Sequence, residues 1–219
     1  MTTLQHIFAI RNVLSHGPVS DDFSYSNQLI LHFMEVARAK LIKEKADKYQ
    51  YVSELSFQSL CMDLALQPFH SCCDGPTDCV LLRTTTKVPT TLNTRWGDFL
   101  KITTLDGVVI SKSSVTTNAL SKYSLVKPNP VSYLIQDGYI FIQNNTSLKK
   151  IMVNGIFNSP SQPLEIECSS AQTECESILE KTFPIDADLI ASMYALVVQY
   201  LMQNTRKDNE QDASDNTVN

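Results

Sequence analysis

The sequence predicts an α+β protein, with helices at both ends of a central antiparallel β-domain. Three observations carry that expectation. Apolar residues recur at helical spacing near the N-terminus, and again after Phe183-Pro184. Two Asp-Gly dipeptides, Asp106-Gly107 and Asp137-Gly138, each sit between β-prone runs. Asp-Gly in that setting is a strong hairpin signal, because a type I′ turn needs positive φ at both central residues. With 219 residues, 43% of them hydrophobic, the chain is long enough to bury a core without help from a disulfide or a metal.

Leu4, Ile7, Phe8 and Leu14 mark a first helix, with Ile10 and Val13 widening its apolar face. Gly17-Pro18 ends it, since glycine accepts left-handed φ and proline lacks an N–H. Ser20, Asp21 and Asp22, with Ser26 as a second choice, supply cap oxygens for the next helix. From Tyr25 to Ala46 that helix would be roughly 33 Å long at about 1.5 Å per residue. Leu29, Ile30, Phe33, Val36, Ala37, Lys40 and Leu41 lie along one face. Arg38, Lys43, Lys45 and Lys48 sit toward its C-terminal end, where cations suit the helix dipole.

The segment 55–67 alternates only in part and reads as strand or helix. Residues 68–78 read as a loop around Gly75-Pro76. Strands follow at 79–86, 99–105 with 108–111, 131–136 with 139–143, and 149–157, where Gly155 suggests a bulge. Pro160 and Pro163 interrupt the pattern. A closing helix presents Ile185, Leu189, Met193, Leu196, Val197, Tyr200 and Leu201 on one face, with Asp186 and Asp188 in its first turn. After Asn204 the chain is almost without apolar side chains, so a flexible tail is expected. The expected organisation is a single domain over 1–204, with helices in 1–48, a β-rich body in 52–160 and the closing helix in 185–204. The tail is 205–219.

Chemistry is sparse. The net charge of −5 and pI near 5.3 argue against a general nucleic-acid binder. No signal peptide or membrane span is expected, so synthesis in a cytoplasm and reduced cysteines follow. His70, Cys72, Cys73 and Cys79 lie within ten residues and could in principle surround zinc. Adjacent Cys72 and Cys73 do not easily face one ion, and no CxxC pair or second half-site exists. Zinc is therefore the weaker alternative, loop and core packing the favoured one, and no cofactor is expected. His6, His16, His32 and His70 are scattered, with no nucleophile motif or phosphate-cradling glycine loop. Trp96 reads as core, Arg95 as a loop charge, and Arg38, Lys40, Lys43 and Lys45 as an exposed face mixed with Glu35, Glu44 and Asp47.

Taken together, the residues resemble a known group. The pattern RNxLSxGPxSDDxxxSNxLIxHxxxxARAxLIKxK over Arg11–Lys45 resembles a virion protein of crAss-like and related tailed bacteriophages. Phe183–Met202 is similar to the closing helix of the same proteins, and Cys79–Leu92 with the Leu105–Gly107 turn fits their middle. The resemblance implies a structural head–tail connector or tail-ring subunit, not an enzyme. Its partners would be copies of itself in a ring, a dodecamer, with the portal protein and other tail or ring proteins. DNA would pass through the lumen without sequence-specific binding, and the location would be the head–tail junction of the virion. The C-terminal extension would order on the portal. Leu29, Ile30, Phe33, Leu189, Met193 and Tyr200 are the candidate contacts between subunits, although for each one the subunit's own core is the favoured role. The competing reading is a nucleic-acid-binding or regulatory phage protein.

Overall fold

The structure is a computed structural model. It describes residues 1–15, 25–68, 80–95, 97–114, 131–170 and 177–215; the side chains of 68, 80, 167–170 and 204–215 lie outside the description. The expected caps Ser20, Asp21 and Asp22, the Gly17-Pro18 break, Trp96, His16, and the His70–Cys79 cluster lie outside the described residues.

The middle of the chain is a seven-stranded closed barrel, and the antiparallel β-domain expected from the sequence is corrected at one place, a parallel pair that the long connection between residues 112 and 132 allows. Its strands are β1 (Gln58–Pro68), β2 (Val80–Thr84), β5 (Leu100–Thr103), β6 (Val109–Lys112), β7 (Ser132–Gln136), β8 (Tyr139–Gln143) and β9 (Lys150–Gly155). Their order is β1-β2-β8-β7-β6-β5-β9, with β9 returning to β1. Every pairing is antiparallel except β6 with β7. The short β3 (Asn93–Thr94) and β4 (Gly97–Asp98) form a separate two-stranded sheet. The stretch left open between strand and helix is a strand, β1, entered through a 3₁₀ turn at Glu54–Ser56.

Closure follows from alternation. Leu60 and Met62 of β1, Ile140 and Ile142 of β8, and Ile151 and Val153 of β9 are spaced by two and all point inward. Ile102, Ile110, Tyr133 and Phe157 complete the same core, so side chains fill the barrel interior. The two Asp-Gly connections differ. Asp137 and Gly138 both have positive φ, as a type I′ turn requires, and Gln136 pairs directly with Tyr139. At the other, only Gly107 is left-handed, and a longer Thr104–Val108 connection closes through Thr104 N–H donating to Val108 O at 2.9 Å. Gly155 is needed for close approach: a Cβ there would lie 2.8 Å from the Phe99 carbonyl oxygen.

The helices gather at one end of the barrel. They are α1 (Thr3–Leu14), α2 (Asn27–Asp47), α3 (Ser161–Ser170) and α4 (Ile190–Asp215). Thr2 caps α1 through Gln5 N–H, and the Gln5 side chain answers Thr2 N–H. Ser26 caps α2 by accepting from Leu29 N–H. The expected break at Pro160 to Pro163 is instead the start of α3, because Pro163 occupies a first turn whose N–H has no helical partner anyway. The closing helix continues past Asn204, where a flexible tail was expected, to Asp215. Once its first half is packed, each further residue extends an existing helix without a new nucleation step.

The buried faces also differ from those read by spacing. In α1 it is His6, Ile7 and Ile10 that are buried, while Phe8 and Val13 face outward. In α2 the buried row is Ile30, Met34, Arg38, Ile42 and Ala46, with Ala37, and Val36 and Lys40 lie outside it. Ile7, Ile10, Ile30, Met34, Met193, Val197 and Leu201 form a helical core distinct from that of the barrel. Ile42, Leu92 and Ile156 form a third, smaller cluster, which shares Leu189 with the helical core.

Candidate assembly surface

The joint between helices and barrel is polar at its centre. Arg38 stands midway along the buried row of α2 and is fully buried. Its Nε donates to Pro184 O at 2.5 Å, its Nη1 to Phe157 O at 2.8 Å, and its Nη2 to Ser56 O at 2.9 Å. One side chain thus ties α2 to the entry of β1, the exit of β9 and the approach to α4. Burial lowers its pKa to about 10, against the pull of Glu35 and Asp186, so the guanidinium stays charged at neutral pH. Beside it, Asp186 is 2% exposed. Its carboxylate accepts from Ser56 Oγ at 2.7 Å, from Ser53 N–H at 3.2 Å and from Lys45 Nζ at 2.8 Å. Lys45 also reaches Asp188 at 2.8 Å. Burial pushes the Asp186 carboxyl up, but the Lys45, Ser56 and Ser53 hydrogen bonds together outweigh it and hold the group below its ordinary value.

This corrects the reading of the basic run on α2. Arg38 is interior and Lys45 is engaged in the joint, so neither belongs to an open mixed-charge face. The signal was present in the sequence. Residues 30, 34, 38, 42 and 46 form one i, i+4 row, and an arginine in the middle of Ile, Met, Ile and Ala must be buried with its donors used.

Of the candidate contact residues, Ile30 and Met193 are fully buried in the helical core, and Leu29, Phe33, Leu189 and Tyr200 pack at its margin. The rings of Phe33 and Tyr200 lie 5.9 Å apart. The structure therefore places all six in or beside the helical core, five of them on α2 and α4 and Leu189 in the 3₁₀ turn that precedes α4. His6 joins the same layer, with its Nδ1 2.7 Å from the Tyr194 hydroxyl. Arg95 lies at the end of β3, where its N–H donates to Asp47 Oδ1 at 2.9 Å.

The outward apolar surface lies elsewhere. Leu105, Val108 and Val109 at the β5–β6 connection are all more than half exposed, and so are Tyr49, Tyr51 and Leu55 between α2 and β1. The latter group borders two open grooves. One, of about 500 Å³, is lined by Leu55, Phe57, Pro163, Leu164, Pro184, Lys181 and their neighbours. The other, of about 580 Å³, is lined by Tyr49, Tyr51, Val52, Phe99, Asp98 and their neighbours. Phe57 and Phe99 separate them in an edge-to-face contact at 5.9 Å. Sequence reasoning missed this surface because alternation marks which face of a strand is buried, not which connections carry apolar side chains into solvent. Among the described residues no group of His, Cys, Asp and Glu is arranged to hold a metal, and no helix is long and apolar enough to cross a membrane.

A body with a barrel core, a helical core, a hydrogen-bonded polar joint and apolar side chains displayed on its surface has the features of a structural assembly subunit. The comparisons with known proteins agree. The chain belongs to the phage tail ring protein 2 family, whose model matches residues 5–219. It is 24% identical over 205 residues to Ring protein 2 of Bacteroides phage crAss001, covering 90% of each chain. It is therefore a structural, ring-forming component of a bacteriophage virion.

Proposed function

We propose that this chain is a head–tail connector subunit. It assembles with copies of itself into a closed ring, a dodecamer, that docks on the portal protein and on neighbouring tail or ring proteins. The lumen of that ring forms part of the conduit through which DNA passes between capsid and tail. The observation that carries this reading is family membership across residues 5–219. Three physical features support it. Side chains fill the barrel, so the passage belongs to the ring and not to the subunit. The net charge of −5 suits a channel that DNA slides through, because lysines and arginines pairing with phosphates would hold it back. Leu29, Phe33, Leu189 and Tyr200, only partly covered by their own subunit, offer contacts beside the seam that Ile30 and Met193 fill. The polar C-terminal extension, helical as far as Asp215, docks against the portal, after synthesis of the chain in the bacterial cytoplasm.

Reading α2 as a nucleic-acid reader is the weaker alternative, because Arg38 and Lys45 are occupied inside the subunit. Native mass spectrometry of the full chain with purified portal tests the proposal. A cyclic homo-oligomer bound to portal is expected; a monomer that persists and ignores portal would overturn it.

A further inference from the structure

We propose that His6 is an acid-operated latch on the N-terminal helix. While its ring is neutral it fastens α1 to α4; when the ring takes up a proton, α1 opens away and the barrel stays folded. The device lies within one subunit and goes beyond the ring-forming reading above.

The latch sits where α1 meets the rest of the helical layer. His6 is 1% exposed, and its Nδ1 lies 2.7 Å from the Tyr194 hydroxyl of α4. The rings of Phe183 and Tyr194 pack edge-on against the imidazole, at 5.8 and 5.7 Å. Among the described residues, the Tyr194 hydroxyl is the hydrogen-bond partner of the ring. The other ties of α1 do not titrate near neutral pH. Thr3 N–H donates to Lys181 O at 2.9 Å and Leu4 N–H to Leu179 O at 2.8 Å. Ile7 and Ile10 pack into the helical core, and Arg11 Nη2 donates to Tyr25 O at 3.2 Å. The barrel core is built without any residue of α1, so α1 can open while that core stays closed.

A proton on this ring would be a buried charge, and among the described residues no carboxylate pairs with it. From α4 the ring faces Tyr194, whose hydroxyl burial keeps protonated. From its own end of the chain comes the positive Met1 amine, which opposes a second cation. From α2, Glu35 lines a small cavity with Thr3 and Phe183, but its Oε1 accepts from Ser161 Oγ at 2.7 Å and Ser161 N–H at 3.4 Å. From the segment before α4, Glu180 and Lys181 line the groove beside Leu55 and Phe57. Burial first, and the Met1 amine second, hold the imidazole below its ordinary value of 6.5. Once α1 opens, water restores that ordinary value. The hold is therefore complete above pH 6.5 and is lost as pH falls from there through the lower folded value. The acid response of Asp186 belongs to a separate range, below 3.8.

Hydrogen–deuterium exchange of the full chain, corrected for the intrinsic effect of pH on exchange, tests this. Between pH 7.5 and pH 5 the protection of the α1 amides should fall at least about fivefold, within the limit of about tenfold per pH unit that one proton allows. The amides of β1 and β9 should keep their protection. His6→Gln retains a hydrogen-bonding group for Tyr194 but takes up no proton, so its α1 protection should be the same at both pH values. An NMR titration of the His6 imidazole in the wild-type chain gives a second reading, with a midpoint expected below 6.5. Unchanged α1 protection at pH 5, or an equal loss in His6→Gln, would overturn the latch. Loss of barrel protection in step with α1 would also overturn it, by showing that acid unfolds the whole subunit. Should His6→Gln fail to fold, an imidazole midpoint at or above 6.5 would decide against the latch by itself.

Discussion

The joint at Arg38 and the tip of the β5–β6 hairpin depart from ordinary burial in opposite directions. The joint is charged and fully buried; the tip is aliphatic and mostly exposed. Each arrangement is unfavourable unless something compensates it. At the joint the compensation is inside the subunit, where three carbonyls and the Asp186 cluster use the donors of Arg38 and Lys45. At the tip nothing within the described subunit covers the apolar side chains. The contrast separates two kinds of region: the joint ties the helices to the barrel, and the tip presents apolar side chains to solvent.

The largest effect expected on that contrast comes from removing the joint. Arg38→Ala leaves the carbonyls of Ser56, Phe157 and Pro184 without their donor and opens a cavity, so a loss of about 3–5 kcal/mol in unfolding free energy is expected. Arg38→Met refills the volume but not the hydrogen bonds, and should recover only part of the loss. Chemical denaturation of both variants measures this. Equal stability of wild type and Arg38→Ala would mean that the joint does not hold the layers together.

These two regions also differ in how far they can be read from sequence. The barrel's inward residues were legible because strand alternation is local: Ile140 and Ile142, or Ile151 and Val153, announce their face without knowledge of any partner. Closure of those strands, the parallel pairing of β6 with β7, and the helix α3 behind Pro160 were not legible, because each depends on contacts distant in sequence. The Arg38 row was legible in principle through its i, i+4 spacing, but Lys40, Lys43 and Lys45 nearby suggested an open basic face instead. The partners of Arg38 lie 18, 119 and 146 residues away in the chain, and no local pattern points to them. The six residues proposed as subunit contacts were found by helical spacing, which marks apolar faces but does not distinguish a subunit's own seam from its neighbour's.

A smaller effect should follow from Asp186→Asn, which keeps the shape of the side chain but removes its charge. It should cost about 1–3 kcal/mol at neutral pH. Its pH dependence sharpens the assignment. The Asp186 carboxyl is held below its unfolded value of 3.8, so its stabilisation is fully present above that pH and is lost as pH falls through the lower folded value. Urea midpoints measured between pH 7 and pH 2.5 should therefore drop more steeply in wild type than in Asp186→Asn at the acid end. Parallel acid limbs would remove Asp186 from the joint's account.

The smallest effect on the monomer should come from the tip. Val109 lies at the start of β6, where it pairs with Thr103 and points its side chain into solvent. Val109→Thr keeps the β-branched shape that suits a strand and changes only what the surface shows to a partner. Monomer stability should stay within about 0.5 kcal/mol of wild type, whereas assembly should weaken, because the hydroxyl must be desolvated on docking. The ratio of the two effects carries the argument. A residue that served the subunit's own core would lose folding stability first and assembly only as a consequence. A residue left out of that core for a neighbour loses assembly while the monomer melts unchanged. If Val109→Thr lowered the melting temperature and left ring formation intact, the tip would belong with the joint as part of the subunit's own structure, and the division between the two regions would fail.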